Sequence, residues 1–223
     1  MSIARAHFQR TLAAREQQAA VPGAPAPGSM AERTAALVRM HRAHLKTIQS
    51  RAAKIEAKRA MLPEYAPYID GVLAAGGGGQ DDVVTTVMLW RLDVGDWDGA
   101  LDIAAYGIRH GLTMPAHISR DLPTTLVEEI AEAALAAPAP VDALAQPLGE
   151  ALELTESCDM VDEVRAKAHK ALGRILKDAD TKQAAMHLET ALTLDPGCGV
   201  KTELARLKKA LDAPAPGDDQ TGP

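Results

Sequence analysis

Aromatic rings are scarce in this sequence. Two Trp, three Tyr and one Phe are all that 223 residues contain. Alternating runs of β-branched residues are nearly absent as well, and alanine and leucine supply most of the apolar content. That balance argues against a β-sandwich or barrel and for helices packed on helices. Cysteine is scarce too: Cys158 and Cys198 stand far apart with no CxxC spacing. A disulfide framework is therefore not expected, and a reducing cytoplasm is the default compartment. No early basic-then-apolar segment reads as a signal peptide, and no run of eighteen apolar residues is present to span a membrane.

Catalytic signatures are missing in the same way. There is no GxSxG and no HExxH. The glycines at 76–79 are not followed by the lysine and Ser/Thr that a phosphate loop needs, so they read as a hinge or helix terminator. His41 and His44 lie three apart without a Cys, Asp or third His beside them, and read as surface histidines rather than metal ligands. His169 and His187 read as residues on helix edges. No cofactor and no metal site is expected. Asp81 and Asp82 are the one weak catalytic candidate. Two adjacent carboxylates could hold a divalent ion for phosphodiester cleavage, but neighbours on a helix point about 100° apart and would need a third ligand. Helix capping is the competing account.

What is present is a strong charge asymmetry. Residues 1–60 carry eleven Lys/Arg and three Asp/Glu, a net of +8. Residues 61–223 carry thirteen and 27, a net of −14. A basic front suggests an anionic partner, nucleic acid being the usual one, against the alternative of a merely solvated helix.

The spacing predicts one long helix over 31–62, free of Gly and Pro until Pro63. Val38, His41, Leu45, Ile48, Ala52, Ile55, Arg59 and Leu62 recur at threes and fours, a heptad-like seam. Val38, Leu45, Ile48 and Ile55 are its candidate oligomerisation residues, with a helix lying on the chain's own body as the alternative. Arg39, Arg42, Lys46, Arg51, Lys54 and Lys58 cover other faces and are the candidate DNA contacts, to phosphates rather than bases. With no internal turn, 31–62 shows no helix-turn-helix. Downstream, a short helix is expected at 65–75, then 82–93 and 97–110 as a hairpin broken at Gly95, with Asp96 as N-cap and Gly111 as C-cap. Further helices are expected at 124–137, from Pro147 to about 157, at 160–177 capped by Asp159, at 181–194 capped by Asp180, and at 199–211. Ala184, Leu188, Ala191 and Pro196 match tetratricopeptide spacing, but one unit makes no solenoid.

The fold class expected is thus all-α: a long basic N-terminal helix, then antiparallel helical hairpins with tetratricopeptide-like packing near the C-terminus. The organisation expected is a flexible basic arm and Pro/Gly linker (1–29), the long helix (30–62), a helical body (63–211) and a disordered acidic tail (212–223).

The strings QDDVVTTVMLWRLDVGDWDGALDIAAYGIRHGLTMP (80–115), LPEYAPYIDGVL (62–73), DMVDEVRAKAHKALGRIL (159–176) and HLETALTLDPGCGVKTELARLKKAL (187–211) resemble the small terminase subunits of P2-like tailed phages. The resemblance covers roughly residues 30–211. It implies genome packaging in the bacterial host cytoplasm. Such a subunit recognises a cos-type site on double-stranded phage DNA, assembles as a ring-shaped homo-oligomer, and brings the DNA to a large terminase subunit carrying ATPase and nuclease. No membrane is involved. The family is traditionally labelled the endonuclease subunit, although the residues here support no intrinsic enzyme. The Lys/Arg-rich tail of the P2 type has no counterpart in 212–223, which places the burden of DNA contact on residues 1–60. Two other readings stay open on the residues: a helical protein-interaction adaptor without DNA binding, and a metal-dependent endonuclease using Asp81 and Asp82.

Overall fold

A computed structural model describes residues 3–18, 28–136 and 141–212. Among them are ten α-helices and no strand: α1 (Ile3–Gln18), α2 (Met30–Thr47), α3 (Arg51–Ala75), α4 (Asp82–Val94), α5 (Trp97–His110), α6 (Leu122–Leu135), α7 (Ala145–Leu154), α8 (Asp162–Leu176), α9 (Thr181–Leu194) and α10 (Lys201–Leu211). The chain is all-α. It divides into two compact units, residues 1–126 with 154–158, and residues 127–153 with 159–223.

In the first unit the expected long helix is two helices. α2 ends at Thr47, Ile48 is extended, and Ser50 caps α3 by accepting a hydrogen bond from Ala53 N. The sequence has no Gly or Pro here. The break comes from weak helix formers, Thr47, Ile48 and Ser50, and from cap chemistry contributing about 1 kcal/mol. α3 then runs straight through Pro63 and Pro67, where a stop was expected. An internal proline forfeits a backbone hydrogen bond and clashes with the preceding turn, at about 3 kcal/mol. Tyr65, Tyr68, Ile69 and Val72 on the same stretch are all essentially buried. Their burial, at about 1.5–3 kcal/mol for each large apolar side chain, outweighs both prolines.

Residues 3–18 are not a free arm. α1 lies on α3 through Ala13, fully buried, against Gly71. A Cβ on Gly71 would stand 2.5 Å from Arg10 O and 2.8 Å from the Ala13 Cβ, so only glycine permits this approach. The Glu16 carboxylate accepts a hydrogen bond from Met30 N at 2.7 Å, so α1 also satisfies an orphan donor at the start of α2. The expected Pro/Gly linker lies outside the described residues except for Gly28 and Ser29, and Ser29 is the N-cap of α2. The expected acidic tail lies outside them beyond Asp212.

α4 buries Val83 through Met88, Trp90 and Leu92, the all-round burial its sequence implies. Gly95 in the left-handed region and Asp96, whose Oδ1 accepts from Gly99 N, make the turn into α5, and Gly111 closes α5.

In the second unit α8 packs on α9. Gly173 is the point of contact: an added Cβ would meet the Leu188 Cδ2 at 2.5 Å and Ala184 O at 3.1 Å. Asp180 caps α9 as expected, but α8 begins at Asp162 and Asp159 caps nothing, since Val161 is its N-cap. Ala185, Leu188, Val200 and Leu204 close a small core with α10. His169 and His187 meet across α8 and α9, with Nδ1 atoms 3.0 Å apart and rings 5.2 Å between centroids. The nitrogens face each other between the rings, so one N–H donates to the other ring's lone pair and both rings must be neutral or share one charge. Burial, with His187 and Arg165 beside it, holds the His169 imidazole down at about 4, and burial lowers His187 as well.

The sign of the pH effect follows. Below 6.5 the unfolded chain takes up protons that folded His169 refuses until about 4, so stability falls as pH falls through that window. Thermal unfolding of the full chain is expected to show a midpoint that drops between those two values. Joint replacement of His169→Gln and His187→Gln should flatten that dependence.

Candidate nucleic-acid interface

α2 sorts its side chains by face. Met30, Thr34, Val38, His41 and Leu45 are buried. Arg39, Arg42 and Lys46 each follow a buried residue by one position, about 100° further round the helix. Arg39 and Lys46 are exposed and Arg42 is half-buried. Past the three-residue connector Ile48–Ser50, Arg51 is exposed and Lys54 half-buried in the first turn of α3. None of these five cations is ion-paired among the described residues. The sixth candidate, Lys58, is committed elsewhere: its ammonium is bound to the Asp93 carboxylate on α4. Its neighbour Arg59 donates to Val94 O at 3.1 Å, satisfying a carbonyl at the end of α4. Lys58 and Arg59 therefore fasten α3 to α4.

The proposed seam is divided the same way. Val38 and Leu45 are buried within the chain itself, so neither offers surface to a second copy. Ile48 and Ile55 are half-buried. His41, expected on the surface, is buried: its Nδ1 lies 2.7 Å from the Tyr65 hydroxyl, and Trp90 stands edge-on to Tyr65 at 5.6 Å. His44 is exposed.

Asp81 and Asp82 do not form a joint site. Asp81 is the N-cap of α4, accepting from Val83 N at 2.8 Å, and its other oxygen accepts from the Tyr68 hydroxyl at 2.5 Å. Burial pushes the Asp81 carboxyl up, opposed by the Tyr68, Val83 and Val84 hydrogen bonds. Asp82 is exposed and accepts from the Gln80 side-chain amide at 3.0 Å. No group of three or more metal-ligating side chains occurs among the described residues. The glycine run has structural work: Gly76 caps α3 in the left-handed region, and Gly78 donates to the Tyr106 hydroxyl at 2.9 Å with its α-carbon against His110.

One basic residue had no signal in the sequence. His117, exposed on the connection between α5 and α6, is held below its ordinary value by partial burial and then by the charges of Arg42 and Lys46, with Asp82 opposing. Arg42 and Lys46 are about seventy positions earlier, and nothing in local pattern or spacing announces that influence.

Residues 35–163 match the model of a family described as phage small terminase subunit. The chain is also 46% identical over 169 residues to a protein of Escherichia phage P2 called "Terminase, endonuclease subunit". That alignment covers 75% of this chain and 68% of the phage protein. No solved structure matches. With more than half its length under the family model, the chain belongs to the phage small terminase subunit family, whose setting is phage DNA packaging.

Proposed function

We propose that this chain binds double-stranded phage DNA at the packaging site, of cos type, and delivers it to the large terminase subunit. The observation that carries the reading is the set of five cations, none ion-paired among the described residues, on either side of a three-residue turn, in a protein of net charge −6. An acidic protein that leaves Arg39, Arg42, Lys46, Arg51 and Lys54 without an ion pair among the described residues favours an anionic partner at that face. The turn at Ile48–Ser50 adds to it. Two helices joined by a short turn, the second opening with basic residues, is the arrangement in which a recognition helix enters a major groove. In this reading Arg51 and Lys54 approach the groove and Arg39, Arg42 and Lys46 hold phosphates. The protein works as a ring-shaped homo-oligomer in the host cytoplasm. Its contact between copies uses Ile48, Ile55 and other exposed surface in place of Val38 and Leu45. No helix among the described residues is long and apolar enough to cross a membrane.

DNA cleavage, which the phage P2 protein's name records, belongs in this reading to the complete terminase. Asp81 already serves as a cap and as the acceptor for Tyr68, and exposed Asp82 accepts from the Gln80 amide.

The test is binding of full-length protein to a phage-end fragment and to a scrambled fragment across a salt series. Charge reversal of Arg42, Lys46 and Lys54 to Glu is expected to lower affinity at least tenfold and flatten the salt dependence, with helical content and oligomeric state unchanged. Retention of wild-type binding would favour the interaction-adaptor reading. Lys58→Ala should behave differently, costing up to about 1 kcal/mol of stability, read by denaturant unfolding, with little effect on DNA. Asp82→Asn is expected to leave any nicking of phage-end DNA in Mg²⁺ unchanged; abolition would restore the nuclease reading.

A further inference from the structure

α8 and α9 run antiparallel across the short connection 177–180. Gly173 lets their backbones come close, with Leu188 and Ala184 of α9 against its α-carbon. His169 lies one turn before Gly173 on α8, and His187 precedes Leu188 on α9. The close approach therefore brings two imidazoles together. Their Nδ1 atoms are 3.0 Å apart, with ring centroids at 5.2 Å and ring planes at 30°. Both residues are half-buried rather than sealed in the core.

Two nitrogen donors so placed suit two bonds to one ion. At metal–imidazole distances of about 2.0–2.1 Å, nitrogens 3.0 Å apart subtend roughly 95° at the metal, the cis angle of a square-planar or octahedral site. A tetrahedral ion would hold them about 3.3–3.4 Å apart. No group of three or more His, Cys, Asp or Glu forms here among the described residues, so water completes the coordination. Mg²⁺ and Ca²⁺ favour carboxylate and carbonyl oxygen, which the pair does not offer. The fixed positive charge bearing on His169 is Arg165, one turn earlier on α8, which is itself engaged within the chain. Its charge opposes any ion held by electrostatics alone and leaves those bound through nitrogen lone pairs. Burial holds both imidazoles below their ordinary value, which keeps them in the uncharged form that a metal requires.

We propose that His169 and His187 form a two-imidazole site for a divalent first-row transition-metal ion of the Ni²⁺ and Cu²⁺ class, which replaces the hydrogen bond between the rings and ties α8 to α9. The ring that donates through its Nδ1–H moves that proton to Nε2, so both Nδ1 lone pairs face the ion and no net proton is released. The site lies within the second compact unit and is independent of the DNA-binding reading. The unfolded chain does not hold two rings in this geometry, so the ion stabilises the fold by mass action.

The experiment takes full-length protein stripped of metal by a chelator and titrates it at neutral pH with Ni²⁺, Cu²⁺ and Zn²⁺. Ni²⁺ and Cu²⁺ are expected to raise the thermal midpoint by several degrees, and the shift should keep growing with concentration beyond saturation. His169→Gln and His187→Gln should each abolish the shift, whereas His44→Gln, at an exposed position on α2, should retain it. Wild-type protein with one equivalent of Cu²⁺ should show two imidazole nitrogens by electron paramagnetic resonance, a readout that does not depend on how the variants fold. Absence of any metal-dependent shift in the wild type overturns the site. A shift that persists in both His169→Gln and His187→Gln, or a copper signal with fewer than two imidazoles, means an adventitious ion only and overturns it as well. Greater stabilisation by Zn²⁺ than by Ni²⁺ overturns the cis geometry on which the proposal stands.

Discussion

The hydrogen bond between the His41 ring and the Tyr65 hydroxyl organises the first unit. Tyr65 has no exposed surface and His41 is 8% exposed. A phenol and an imidazole so placed must satisfy each other, because an unpaired buried polar group costs about 1–3 kcal/mol. Trp90 closes the cluster, edge-on to Tyr65 and 6.4 Å from the His41 ring. Three helices are fixed at this point: His41 from α2, Tyr65 from α3 and Trp90 from α4. The rotation of α2 follows from it. With His41 turned inward, Arg39, Arg42 and Lys46 are left on the flank that the solvent reaches. A core contact thus sets which way the basic face looks, and a helix read in isolation has no such constraint.

The same logic runs through the caps. Asp81 accepts from the backbone at the start of α4 and from Tyr68 on α3, so a local helix signal doubles as a tertiary contact. Gln80 ties the start of α4 to Thr113, and Glu16 serves the start of α2 from another helix. Each of these polar groups is occupied in fixing where helices begin. That accounts for a protein whose conspicuous acidic pair carries structure, while its exposed cations carry the surface chemistry. In the second unit the close approach at Gly173 and the His169–His187 pair do equivalent work, with imidazoles that must stay largely uncharged to remain packed.

Membership of the small terminase subunit family and the geometry bear on different questions. The family match places the chain in phage DNA packaging. The structure decides which of its charges are already spent: Lys58 on Asp93, Arg59 on Glu56 and the end of α4, Arg91 on Asp96. Sequence counting treats all of these as equal to Arg42 or Lys46. Partnering separates cations that hold the fold from cations that are available to an anion.

The sequence by itself determined the helical class, most of the helix boundaries after Gly76, and the turn at Gly95 and Asp96. These rest on local chemistry: apolar period, a carboxylate beside free N–H groups, and a left-handed backbone that favours glycine. It also determined the charge asymmetry, which is only a count. Only the tertiary structure decided that 31–62 is two helices, that α3 survives two prolines, that residues 3–18 are docked, and that His41, Val38 and Leu45 face inward. In each case the deciding energy is burial against a distant segment. It exceeds a propensity difference of a few tenths to about 3 kcal/mol per residue and leaves no trace in the local pattern.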